Sequence, residues 1–99
     1  MTEKILVNVD PSIKELIPSF LQSRRRDLQR MSEALHAGDL QAIREVGQNI
    51  RAFSRVYGLD ELTELGEEIR RAAEDCSTLR IVHLQGRLAD YLSRIALDD

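Results

Sequence analysis

The chain has 99 residues, a formal net charge of -3 and one cysteine, Cys76, which suits a single domain spanning 1–99 and excludes an intramolecular disulfide. Hydrophobic residues are 42% and charged residues 31%, with 4% aromatics and no Trp, so the core is expected to be aliphatic, as suits helices. The acidic balance argues against nucleic acid as the main partner, and neither a membrane-span run nor a signal-peptide layout is present, so a cytoplasmic protein is expected.

Met1 to Val9 ends in an extended-looking apolar tract, Ile5-Leu6-Val7-Asn8-Val9. It has no evident strand partner and is expected to be a lead-in packed on the helices. Asp10-Pro11 reads as a helix start, because Asp caps and Pro is tolerated in a first turn. A short helix through Ile13, Leu16 and Ile17 would be broken or restarted by Pro18. Beyond Pro18, Leu21, Leu28, Met31 and Leu35 recur at helical spacing and mark one face. Gly38-Asp39 is a stop followed by a new N-cap.

The next helix is expected over Leu40 to Tyr57, with Gly58 as its stop. Its apolar face carries Ile43, Val46, Ile50, Phe53 or Ser54, and Tyr57. The adjoining face carries Gln41, Arg44, Gln48, Arg51 and Arg55, a polar, basic stripe. Phe53 is expected between helices; exposed beside Ala52 and Val56, it would instead mark a contact surface.

A third long helix places Leu62, Leu65, Gly66, Ile69, Ala72 and Ala73 on one stripe, and Gly66 suggests a close helix approach. Cys76-Ser77 is a short turn in which Ser77 is able to cap, with Cys76 an inert helix-end thiol. The last helix carries Ile81, Leu84, Leu88, Tyr91, Leu92 and Ile95, and Leu97-Asp98-Asp99 is expected to fray. The fold class is therefore all-α: an up-down antiparallel four-helix bundle with a short leading N-terminal helix.

Arginines concentrate in the first half, among them Arg24, Arg25, Arg26 and Arg30. Acids follow, among them Asp60, Glu64, Glu67 and Glu74. Most are expected to lie on solvated faces as paired charges. No His or Cys pair has metal-ligand spacing, and there is no phosphate loop or nucleophile–base constellation. Neither a metal nor a cofactor is expected, and the chain does not read as an enzyme.

The helix that ends at Tyr57-Gly58 also resembles a known pattern. Bacterial histidine phosphotransfer (HPt) domains carry a histidine, then xx-Lys-Gly, with Tyr-Gly or a similar pair closing the helix. Further likeness lies in Val7-x-Val9-Asp10-Pro11, Leu16-Ile17-Pro18-x-Phe20-Leu21, Ala34-Leu35-x-Ala37-Gly38-Asp39, Tyr57 to Gly66, and Glu67 followed by Ala72-Ala73. The resemblance implies a four-helix bundle with the acceptor site on a solvent-facing helix surface. It puts Gln48 at the phosphoacceptor histidine position, Arg51 on the lysine and Ala52 on the glycine. Phe53, Arg55 and Val56 replace positions that are often small.

An imidazole nitrogen accepts phosphoryl as a nucleophile, and a neighbouring cation steadies the phosphoryl oxygens. The amide nitrogen of Gln48 is delocalised into its carbonyl and is no such nucleophile. The resemblance therefore implies a pseudo-HPt module of two-component phosphorelay signalling. It would dock a response-regulator receiver domain or a histidine kinase through Arg44, Gln48, Arg51, Ala52 and Arg55 without carrying phosphate. The alternatives are a structural bundle that dimerises through a helix face, and an active phosphotransfer protein using His36 or His83, neither of which sits in the motif. A monomer or weak dimer is expected.

Overall fold

A computed structural model describes residues 5–7 and 11–97. The chain forms an all-α, four-helix bundle: α1 (Ile17–Ala37), α2 (Leu40–Val56), α3 (Asp60–Glu74) and α4 (Thr78–Arg94). Sequential helices pack as neighbours and α1 returns to α4, with α2 and α3 the most intimate pair. Short connections make such neighbours antiparallel. Among the described residues, no helix is long and apolar enough to cross a membrane.

All three connections use one device. The chain leaves each helix through a left-handed residue, and the following amide bonds back to a carbonyl five residues earlier, as in a Schellman motif. Gly38 (φ 68°), Gly58 (φ 70°) and Cys76 (φ 54°) take the left-handed position. The amides of Asp39, Leu59 and Ser77 donate to the carbonyls of Ala34, Ser54 and Ala72 at 2.9, 3.1 and 2.9 Å. Those three residues are also the N-caps of the next helices, which is why the bundle turns so tightly. Asp39 Oδ1 accepts from the Ala42 amide at 3.0 Å, whereas Ser77 stands at the cap position without a side-chain bond.

The leading helix is a single 3₁₀ turn, Lys14–Leu16, running directly into α1, with Pro18 inside the first turn. Proline fits there because the first amides of a helix have no intrahelical acceptor. Asn8, Val9 and the expected Asp10 cap lie outside the described residues, as do Asp98 and Asp99. The apolar lead-in differs from expectation: Ile5–Val7 forms a strand, β1, pairing in parallel with β2 (Ile95–Leu97). The last helix accordingly ends at Arg94, and Ile95 turns extended at ψ 134°. Its backbone is committed to the ladder with β1 rather than to another helical turn.

The core is aliphatic and includes Met31, Ile43, Val46, Ile50, Leu62, Ile69, Ile81 and Leu88, all 1% exposed or less. Burying each such side chain contributes roughly 1.5–3 kcal/mol. On α1 the buried stripe is Ile17, Phe20, Arg24, Asp27, Met31 and Ala34. It is rotated from the expected Leu21, Leu28, Met31, Leu35 face, whose three leucines pack only partly buried against the core. On α2, Ser54 rather than Phe53 turns inward: Ser54 is 0% and Phe53 53% exposed.

The intimacy of α2 and α3 comes from two glycines. A methyl on Gly47 would stand 2.6 Å from the Arg70 nitrogen, and one on Gly66 would stand 2.5 Å from the Arg51 nitrogen. Both distances are below van der Waals contact, so the helices cross backbone to backbone. The close approach expected at Gly66 is present, and Gly47 is its counterpart.

Candidate functional site

Helix α2 presents the stripe singled out in the sequence. Gln48, Ala52 and Arg55 are exposed, and Arg44 is intermediate. The core positions Val46, Gly47 and Ile50 face inward, so residues 48, 51, 52 and 55 turn outward by helical periodicity. The helix is capped by Asp39 and stopped at Gly58, which fixes this face relative to α3.

The arginines of the stripe do not all stand free. Arg44 Nε reaches Glu74 Oε1 at 3.1 Å, and Arg51 Nε reaches Glu67 Oε2 at 3.3 Å. Arg70 lies between the two glutamates, at 2.5 Å from Glu67 and 2.6 Å from Glu74, while Arg71 contacts Glu67 at 3.1 Å. The result is a charge ladder laid over the α2–α3 crossing. The hydrogen bond from Arg70 chiefly holds the Glu67 carboxyl below its ordinary value. The bond from Arg44 does the same for Glu74.

Among the described residues Arg55 has no ion pair. It lines an open cleft with Arg51, Asp60, Thr63, Glu64, Glu67 and Arg71, of about 390 Å³. The candidate residues are thus, among the described residues, a cation without an ion pair (Arg55), the exposed Gln48 amide and the Ala52 methyl, beside two arginines held in place by α3. Fixed cations of this kind suit bidentate recognition of carboxylate or phosphoryl oxygens.

Next to this face lies a feature that reading by residue type missed. Arg24, expected on a solvated face, and Asp27 are each 6% exposed. Arg24 Nε lies 3.0 Å from Asp27 Oδ2, and Asp27 Oδ1 lies 3.8 Å from Arg30. The Arg24 guanidinium carbon sits 5.0 Å from the centroid of Phe20 and 5.1 Å from that of Phe53. Phe20 in turn stacks on Tyr57 at 4.5 Å. Burial pushes the Asp27 carboxyl up, against the opposing pull of Arg24 and Arg30. Burial also lowers the Arg24 guanidinium, against Asp27.

The spacing itself carried the signal. Residues 17, 20, 24, 27, 31 and 34 advance by three and four, the signature of one buried stripe, with an arginine and an aspartate at its centre. Phe53 remains half exposed as the outer wall of this cluster, beside exposed Ala52 and Val56.

His36 is exposed in the last turn of α1, and His83 is exposed on α4 beside Glu68, Arg80 and Arg87. Neither lies on α2. Cys76 is exposed at the end of α3. No group of His, Cys, Asp and Glu among the described residues is placed to hold a metal ion. No family model matches the chain, and comparison with curated proteins and with solved structures found no match.

Proposed function

We propose that this chain is a phosphorelay-associated docking module, a pseudo-HPt domain that binds a receiver domain or kinase without carrying phosphate. The observation that carries the reading is Gln48. It is exposed in the middle of α2, three residues before Arg51 and four before Ala52, where the resemblance puts the acceptor histidine. The bundle supplies the scaffold such a site needs, and the amide removes the nucleophile.

Docking would use the outward face of α2. Arg55, without an ion pair among the described residues, offers a cation to an acidic receiver surface, Arg44 and Arg51 offer arginines oriented by Glu74 and Glu67, and Ala52 lets the partner approach. Charge complementarity of this kind sets association rate and partner choice more than raw affinity. The test is binding of a panel of receiver domains to the native chain and to Arg51→Glu/Arg55→Glu. Reversal is expected to weaken binding at least about tenfold, mainly through a slower on-rate. Unchanged affinity would remove the α2 face from the interface.

A second reading, a bundle that dimerises through a helix face, draws on α4, where Leu79 is 86% and Val82 53% exposed. Sedimentation at several concentrations separates the two, because a monomer at every concentration removes the dimer.

A further inference from the structure

The cluster around Arg24 borders a cleft of about 320 Å³, walled by Leu16, Phe20, Phe53 and Tyr57. Its composition is that of a small-ligand site: these apolar and aromatic walls, the polar Ser19 and Ser23, and one charged group, Arg24. The charged group has spare capacity. Arg24 is 6% exposed, and its Nη1 is buried with no hydrogen-bond partner among the described residues. Its Nε is near Asp27 at 3.0 Å but lacks hydrogen-bond alignment. A buried guanidinium with unmet donors is costly unless an acceptor arrives. Asp27 offsets one charge, yet Arg30 stands 3.8 Å from that same carboxylate, so the three-residue group retains a net positive charge.

The wall that meets solvent is Phe53, which packs on Arg24 at 5.1 Å while being 53% exposed. Phe20, 6% exposed and packed on Tyr57, is the inner wall.

We propose that this cleft binds a small carboxylic acid with a flat apolar body, its carboxylate paired with the Arg24 guanidinium and its body against Phe53 and the Phe20–Tyr57 pair. A planar carboxylate matches the guanidinium fork. The aromatic walls match a flat ring in offset or edge-on contact. The site stands apart from the docking reading: it needs neither Gln48 nor a receiver, and either proposal survives the failure of the other.

The test uses the whole chain, with benzoate as probe and benzyl alcohol as its uncharged counterpart, followed by proton NMR. The chain has two Phe and two Tyr; Phe20, Phe53 and Tyr57 line the cleft, while Tyr91 is buried at 2% exposure and serves as an internal reference. Benzoate is expected to shift the first three rings saturably and leave Tyr91 still. Benzyl alcohol is expected to bind about tenfold or more weakly, the difference a hydrogen bond to a charged group makes. Arg24→Gln is expected to abolish the preference. Should that variant fail to fold, Phe53→Ala at a half-exposed position decides, with benzoate affinity falling about 2- to 12-fold. Equal binding of the two probes, shifts confined to other surfaces, or no saturable shift with benzoate would overturn the proposal.

Discussion

Gly47 and Gly66 face each other where α2 crosses α3: a methyl on either would stand 2.7 Å from the carbonyl oxygen of the other. No side chain lies between the backbones there, and the surrounding ladder from Arg44 to Glu74 and from Arg51 to Glu67 spans the same crossing. The candidate face of α2 is therefore held by the most tightly fitted contact in the bundle.

Gly47→Ala and Gly66→Ala are each expected to destabilise the chain by about 1–3 kcal/mol, the usual cost of overpacking, despite the better helix propensity of alanine. Gly86→Ala is the control. Gly86 is exposed in α4, and an added methyl meets nothing within 4 Å, so a gain of about 0.5–1 kcal/mol is expected. Denaturant unfolding of the three variants checks both signs.

The buried Arg24–Asp27 pair gives a second expectation. Asp27→Leu alone leaves the Arg24 charge at a position only 6% exposed and is expected to cost about 3–5 kcal/mol, whereas Arg24→Met leaves Asp27 with Arg30 at 3.8 Å and is expected to cost less. The double variant replaces the pair with apolar side chains and is expected to be near neutral. The double-mutant cycle measures this coupling directly. Additive losses would mean that the two charges act independently.

The charge ladder makes stability depend on pH in a known direction. Glu67 and Glu74 are held below the ordinary glutamate value of 4.5, chiefly by hydrogen bonds from Arg70 and Arg44. A depressed folded pKa contributes stability above the unfolded value, and that stability is lost as pH falls through the folded one. Asp27 runs the other way: its pKa is raised from 3.8 by burial, so its contribution is greatest at low pH and is lost as pH rises. Melting midpoints are expected to fall as acid is added below 4.5. The fall is expected to be shallower in Glu67→Gln and steeper in Asp27→Asn, where the opposing group is gone.

Much of the fold was legible because it rests on local rules. Gly38 and Gly58 marked helix ends through their left-handed preference, Asp39 marked a start, and Gly66 marked the close crossing. What escaped was decided by tertiary context. Arg24 was assigned to solvent by residue type and Asp27 was passed over, although their spacing with Phe20 and Met31 places both on the buried stripe. Phe53 and Ser54 compete for one inward position, and periodicity alone does not choose between neighbours; the aromatic went outward onto Arg24 and the serine went in. The pairing of Ile5–Val7 with Ile95–Leu97 joins distant segments, and nothing within either tract names the other. On the candidate face, Gln48 and Arg55 were readable as a polar stripe from periodicity, while Ala52 entered only through the resemblance. The capture of Arg44 and Arg51 by α3 was not, because it depends on how two helices are set side by side.

The most direct measurement is transfer of labelled phosphate from a panel of phosphorylated receiver domains to the native chain and to Gln48→His. If the α2 face is a docking surface that lacks only its nucleophile, the native chain stays unlabelled. Gln48→His then acquires an acid-labile, alkali-stable label from at least one receiver. Label on the native chain would show that another histidine accepts phosphate, and failure to label Gln48→His with any receiver would contradict the docking surface itself.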